Sequence, residues 1–293
     1  MQLSIVTTLY GSAPHLDEFC TRLRAAADRL AVSYEIVMVN DGSTDGSLEA
    51  AIRLAGADSR IRVADLSRRY GHYEAILAGI RLTAGQVVFV IDSDLEEPPE
   101  LLDTLWPALH DDAACDLVVA CHARRRLRSI PDLGGWLYYR ALRAQTGLDI
   151  PRDNFVARIM TRRYADALIA MRERPISFDA LSGRVGFRHR ILPATKSSRP
   201  ATTYPLSRRV RLFVDSILAY GSKAASILAC AAIAVAAAGL WAFWTSAAAL
   251  RLVVIVAASI VIAGIATLCR YLDLLFEEIR YTPPRIRRMY PDE

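Results

Sequence analysis

Two long stretches without a single charge, Ala224 to Trp244 and Leu252 to Cys269, limit what this chain can fold into more than any other feature. Only Thr245 to Arg251 separates them. Each is about long enough to cross a ~30 Å hydrocarbon core as a helix, the second only just. Trp241, Trp244 and Tyr271 stand where interfacial aromatics are expected. The 53% hydrophobic content is therefore a local excess. Both stretches are rich in alanine, so the alternative is a buried helical hairpin of a soluble protein. Charge placement sets an orientation. Arg208, Arg209, Arg211 and Lys223 precede the first stretch, Arg270, Arg280, Arg285, Arg287 and Arg288 follow the second, and the connection holds only Arg251. The positive-inside rule then puts the N-terminal region and both termini in the cytosol, in a multi-pass protein of the cell (inner or plasma) membrane. Residues 1–10 lack the basic and apolar segments of a signal peptide. Cys20, Cys115, Cys121, Cys230 and Cys269 are odd in number and scattered, as reduced packing residues are.

Before these stretches the chain alternates strand and helix signals. Leu3 to Leu9 is β-prone, and His15 to Leu30 carries apolar residues at helical spacing. Tyr34 to Val39 predicts a strand ending in Asn40-Asp41-Gly42-Ser43, and Asp45 to Ala55 a helix capped by Ser43, Thr44 or Asp45. A short strand over Arg60 to Leu66, a helix over Tyr73 to Leu82 and a strand over Gln86 to Ile91 follow. This βαβαβ rhythm implies an α/β fold with a mostly parallel, Rossmann-like sheet. Neither a dinucleotide-type glycine fingerprint nor a P-loop is present. The expected organisation is a globular domain over 1–206, a basic amphipathic segment over 207–223, a membrane hairpin over 224–269, and a cytosolic tail over 270–293.

The apolar strand Gln86 to Ile91 runs directly into Asp92-Ser93-Asp94. Two carboxylates at the carboxyl end of a buried strand lie where open α/β sheets bind ligands. Asp-x-Asp there can hold a hard divalent cation, Mg²⁺ or Mn²⁺, which in turn holds a diphosphate. The alternative is an acidic turn capping the next helix, with Pro98 or Pro99 in its first turn.

Several segments, in order, resemble the family 2 glycosyltransferases. Val39-Asn40-Asp41-Gly42-Ser43-Thr44-Asp45 is similar to their nucleotide-binding turn. Leu66-Ser67-Arg68-Arg69-Tyr70-Gly71-His72, running into Ala75 to Gly79, resembles the S-R-N-F-G…A-x-x-A-G stretch of their polyprenyl-phosphate branch. Asp92-Ser93-Asp94-Leu95-Glu96-Glu97-Pro98-Pro99-Glu100 resembles that branch's D-A-D-L-Q-D-P-P-E, and Tyr271 to Pro284 resembles the end of dolichol-phosphate mannosyltransferase-like enzymes. The resemblance implies a GT-A-like domain that takes a nucleotide-sugar donor. It implies nucleotide contacts at Thr8, Tyr10, Asn40, Asp41, Asp65 and Ser93, and a metal at Asp92, Asp94 and Glu96. Asp41 and Asp65 also have plain readings, as an Asp-Gly turn and a helix-capping turn. His72 is either a phosphate or sugar contact or a capping histidine. Departures occur too: Thr7 to Ser12 lacks the proline and acid of the family's V-P-x-Y-N-E opening, Gly183 to Phe187 replaces a W-x-G, and Asn154 to Met160 replaces G-D-F-R-L-M.

Arginines supply the other half. Arg124 and Arg126, in a basic run after Leu117 to Ala120, are expected to stabilise charge in the reaction, with a solvated surface loop as the alternative. Arg158, Lys196, Arg199, Arg208 and Arg209 are candidates for holding a lipid phosphate, since guanidinium matches phosphate bidentately. A lipid phosphate already carries its nucleophilic oxyanion, so it requires positioning rather than a base. The expectation is inverting, metal-dependent sugar transfer to polyprenyl phosphate at the cytosolic membrane face. No nucleic-acid partner is expected, and a homo-oligomer is an option. The rivals are a same-fold enzyme acting on a glycan or other lipid, and a non-catalytic nucleotide- or lipid-binding scaffold.

Overall fold

Four apolar runs near the N-terminus form the centre of one sheet in a computed structural model that describes residues 1–122, 140, 143, 154–171, 178–195, 247–279 and 281–291. They are β1 (Leu3–Leu9), β2 (Tyr34–Asn40), β3 (Ile61–Leu66) and β4 (Val87–Val90). β1 runs parallel to both β2 and β4, and β2 runs parallel to β3. Every residue of β1, β2 and β4 is buried, because helices cover both faces as a parallel sheet requires.

The alternation of side chains along each strand sorts the core into two layers. Ile5, Leu9, Ile36, Met38 and Phe89 enter the layer shared with α1 (Leu16–Arg29), α2 (Ser47–Ala57) and α4 (Leu101–His110). Val6, Val37, Val39, Val88 and Val90 enter the opposite layer, with Ile76, Leu77 and Ile80 of α3 (His72–Arg81). That second layer also takes Tyr164 and Leu168 from α5 (Arg162–Ala170) and Phe178 and Leu181 from α6 (Phe178–Arg184). The boundaries of β1 to β4 and α1 to α3 fall within a few residues of those expected from the sequence.

β5 (Leu117–His122), β6 (Asn154–Thr161), β7 (His189–Ala194) and β8 (Ile286–Tyr290) complete an eight-stranded sheet in the order β7-β5-β6-β4-β1-β2-β3-β8. β6 is antiparallel to both β4 and β5, and β8 is antiparallel to β3, so the sheet is mixed outside its parallel centre. The expected tail thus supplies an edge strand. The compact unit that holds the sheet gathers Met1–Gly135, Asp149–Thr202 and Thr282–Glu293, whereas the sequence suggested a domain complete by residue 206.

A second unit takes in Trp136–Leu148 and Thr203–Tyr281, and its described part is chiefly α7 (Ala247–Ile279). The uncharged run Leu252 to Cys269 lies wholly inside this 33-residue helix. Val254, Val261, Ile265, Leu268 and Phe276 are exposed on it. Among the residues whose side chains are described, no helix is long and apolar enough to cross a membrane. The first expected span and the basic segment before it lie outside the described residues.

The A-x-x-A-G stretch has a packing reason. A Cβ added at Gly79 would run into Val6 Cγ1 and lie 3.0 Å from Val39 Cγ2, so α3 sits against the sheet with no room for a methyl group. Gly79→Ala should destabilise the protein by about 1–3 kcal/mol despite alanine's better helix propensity. A urea-unfolding midpoint equal to or above that of the wild type would contradict this packing.

Candidate active site

The carboxyl ends of β1, β2, β3 and β4 lie side by side, and each ends in polar residues: Thr8, Asn40-Asp41, Asp65 and Asp92. Their side chains are mostly committed to one another. Tyr70 N donates to Asp41 Oδ1 at 2.6 Å and Gly71 N to Oδ2 at 3.0 Å, so Asp41 pins the loop between β3 and α3. Burial pushes the Asp41 pKa up, and these two backbone N–H groups oppose it. Gly42 adopts φ +67, and a Cβ there would lie 2.8 Å from Arg69 N; the turn therefore closes against that same loop only as glycine.

The Asn-Asp-Gly-Ser turn is also tied to the loop after β1. Ser43 N donates to Asn40 Oδ1, Gly11 N donates to Ser43 Oγ, and Ser12 N donates to Ser47 Oγ at 2.9 Å. Burial opposes ionisation of Asp45, but the Ser43 and Ser47 hydroxyls and Ala13 N outweigh it and hold its carboxyl at about 2. Asp45 Oδ1 also accepts from Ser47 N, the first N–H of α2, but the cap position itself is Gly46 in a left-handed conformation, so none of the three expected residues occupies it.

Asp92 follows β4. His72, the first residue of α3, places Nε2 3.4 Å from Asp92 Oδ1 and Nδ1 3.1 Å from Thr8 Oγ1. Burial lowers the His72 pKa below 6.5, and Asp41 and Glu97 pull it the other way. A neutral ring serves both neighbours when Thr8 Oγ1 donates to Nδ1 and Nε2–H faces Asp92. Asp94 Oδ1 accepts from Glu96 N at 2.9 Å. Between them Leu95 holds φ +62 with its side chain buried, a left-handed conformation that costs leucine on the order of 1–2 kcal/mol.

That strained turn is anchored by a residue the sequence did not single out. Glu97 is buried and accepts from Val156 N at 2.8 Å and Ala157 N at 2.7 Å, which fixes the acidic loop to β6. Only its position in the acidic run hinted at importance.

The sheet edge brings together Thr8, Tyr10, Asn40, Asp41, Asp65, Asp92, Ser93 and Asp94. Tyr10 is 52% exposed, with the Arg69 guanidinium 3.7 Å above its ring. Ser93 turns inward, donating to the Thr8 carbonyl and lying 2.8 Å from Ser12 Oγ, which places it in loop support rather than facing a ligand. Asp92 and Asp94 offer hard carboxylate oxygens suited to Mg²⁺ or Mn²⁺. Among the described residues no group of three or more His, Cys, Asp or Glu side chains that could hold a metal is gathered. A cation here would draw its remaining ligands from a diphosphate and water.

Arg158 is placed otherwise than expected. It is 3% exposed, pairs with Asp179 at 3.1 Å, donates to the Phe155 and Val156 carbonyls and to Ser182 Oγ, and covers the Phe178 ring. A guanidinium so enclosed braces β6 against α6 rather than facing a lipid phosphate. Arg124, Arg126, Lys196, Arg199, Arg208 and Arg209 lie outside the described residues.

The family model for glycosyl transferase family 2 matches residues 4–169, which includes every strand end described above. The chain belongs to that family. A family relative, the glycosyltransferase YkcC of Bacillus subtilis (strain 168), is 30% identical over 82% of this chain and 74% of its own length. The undecaprenyl-phosphate 4-deoxy-4-formamido-L-arabinose transferase of Pseudomonas fluorescens (strain SBW25) is 29% identical, over 81% of this chain and 70% of its own. A glycosyltransferase of Mycobacterium tuberculosis (strain CDC 1551 / Oshkosh) is 38% identical over 76% of this chain, which spans 65% of that relative's length. The same α/β fold is seen in glucosyl-3-phosphoglycerate synthase from Mycobacterium tuberculosis, solved with Mn²⁺ and UDP-glucose. Its TM-score is 0.53 at 19% identity, over 75% of this chain and 79% of that one.

Within this family 2 domain, Glu97→Gln offers one acceptor where two backbone donors converge. It should cost about 1–3 kcal/mol of stability and loosen the Asp94 turn. An unchanged melting temperature together with unchanged metal affinity would show that the Glu97 clamp does not hold the turn.

Proposed function

We propose that this chain transfers a sugar from a nucleotide-sugar donor to a polyprenyl phosphate, with inversion at the anomeric carbon, at the cytosolic face of a membrane. The observation that carries this reading is the Asp92–Asp94 pair at the carboxyl end of β4, beside the Asn40–Asp41 turn. The relatives named for transfer to undecaprenyl phosphate support the acceptor. The fold relative solved with Mn²⁺ and UDP-glucose supports the donor and a divalent metal. The two uncharged stretches of the sequence, 224–244 and 252–269, support a membrane location.

Charge accounting gives each group its task. Departure of a nucleoside diphosphate builds negative charge on the bridging oxygen. Asp94 and Asp92 would hold Mg²⁺ or Mn²⁺, which supplies Lewis-acid stabilisation of that leaving group. His72, held by Thr8, stands 3.4 Å from Asp92, and the left-handed Leu95 turn sets the course of the backbone beside Asp94. Tyr10, Asn40 and Asp41 bound the nucleoside end. The acceptor phosphate attacks as an oxyanion and needs alignment and cationic screening. Arg124 and Arg126 are assigned that screening, with Lys196, Arg199, Arg208 and Arg209 meeting the lipid headgroup.

Asp94→Asn keeps side-chain size and removes the charge, so it should lower turnover roughly 10²-fold or more with expression unchanged. Full activity in excess chelator would refute the metal's role. With membranes and radiolabelled nucleotide sugars, label should enter the lipid phase only when the acceptor bears a phosphate; free polyprenol should stay unlabelled. The product should be labile to mild acid. Label appearing instead on an oligosaccharide in the absence of lipid phosphate would establish the glycan-directed rival. Carbonate washing should leave the chain in the membrane; its release would rule out the membrane hairpin over 224–269.

A further inference from the structure

β8 delivers a side chain to the nucleotide end of the sheet from far along the sequence. It pairs with β3 in the register Ala64 to Met289 and Asp65 to Arg288, and then the register shifts so that Leu66 faces Ile286. Arg287 is the extra residue at that bulge. A bulge re-aims a side chain, and here it turns Arg287 onto Asp65. Arg287 Nε donates to Asp65 Oδ2 at 2.8 Å, and Nη2 donates to the same oxygen. Asp65 itself is 1% exposed, and its other oxygen accepts from Asn40 Nδ2 at 2.9 Å. Just past Asp65, Ser67 N donates to the Arg285 carbonyl at 2.9 Å, so β8 holds both the end of β3 and the loop that Asp41 pins from the other side.

The chain of bonds continues across the floor of the site. Asn40 Oδ1 accepts from Ser43 N, Ser43 Oγ accepts from Gly11 N, Ser12 Oγ accepts from Tyr10 N, and Ser12 Oγ lies beside Ser93 of the Asp-x-Asp turn. We propose that Arg287 is a positioning residue for the donor: it fixes Asp65, and through Asn40 it fixes the turn that receives the nucleoside. Residues 282–291 are then a working part of the donor site. This inference rests on the nucleotide-sugar reading above. Without Arg287 a buried carboxylate keeps one donor, and such a group reorients toward water or takes up a proton, which releases Asn40 from its fixed geometry.

The test uses the full chain in detergent with Mn²⁺, titrated calorimetrically with UDP and with GDP, alongside its melting temperature. Wild-type protein should bind at least one of the two. Binding of neither would defeat the nucleotide-sugar reading and this inference with it. Arg287→Ala should weaken the Kd by roughly three- to tenfold, since the bond joins a buried carboxylate to a guanidinium that is itself 61% exposed. Arg287→Lys should restore part of it, and Arg288→Ala, which removes an equal charge one residue away, should leave Kd unchanged. If Arg287→Ala proves poorly folded, Asp65→Asn combined with Arg287→Gln replaces the ion pair by a neutral one and should bind more tightly than Asp65→Asn alone. A lowered melting temperature with wild-type Kd in Arg287→Ala, or no gain in the double variant, would overturn the positioning role.

Discussion

A carboxylate removed from water has to be met by donors, and three such groups organise the carboxyl edge of this sheet. Asp41 collects two backbone N–H groups from the loop after β3, Asp65 collects Asn40 and Arg287, and Glu97 collects two N–H groups from β6. Each joins segments that strand pairing alone would leave independent. A hydrogen bond to an ionised group contributes about 1.5–3 kcal/mol, and breaking one leaves a desolvated charge behind. The loop after β3, the Asn40 turn and the acidic run after Asp94 are therefore held largely by charges committed to the protein itself. The left-handed Leu95 persists for the same reason: Glu97 fixes one side of it and the Asp94–Glu96 bond the other.

The parallel centre of the fold was legible because burial on both faces writes a continuous apolar run. Such strands need no alternation of polar and apolar residues: Val87 to Ile91 is apolar throughout, Tyr34 to Val39 is broken only by Glu35, and the acids that follow each mark the ligand edge. What escaped were residues whose meaning depends on distant partners. Glu97 reads as one more acid in Leu95 to Glu100 until its bonds to Val156 and Ala157, on a strand well removed in sequence, are seen. Arg158 reads as an available cation until Asp179 and Ser182 enclose it. Arg287 reads as one of several positive charges flanking an apolar helix, and no local pattern separates it from Arg285 or Arg288.

The departures at the start of the chain also acquire a physical account. Ser12 falls in the opening segment that lacks the family's usual acid, and Ser93 stands in the middle of the Asp-x-Asp turn. Their hydroxyls lie 2.8 Å apart, both are buried, and Ser93 also donates to the Thr8 carbonyl. A neutral hydroxyl chain thus joins the first loop to the acidic turn, and it adds no charge beside Asp92 and Asp94. The loop keeps its place through Ser43, Ser47 and Asp45 instead.

The bond between Asp65 and Arg287 links positions 222 residues apart. During synthesis the apolar run of α7 emerges before β8 does, so the sheet stays one strand short while that run is already seeking its own surroundings. Contacts of such long sequence separation form late, because the intervening loop must close first. Until then Asp65 has only Asn40, and the nucleotide edge is unfinished. The carboxyl edge of β3 is thus completed by the last strand of the sheet to be made, with the whole of α7 already synthesised between the two partners.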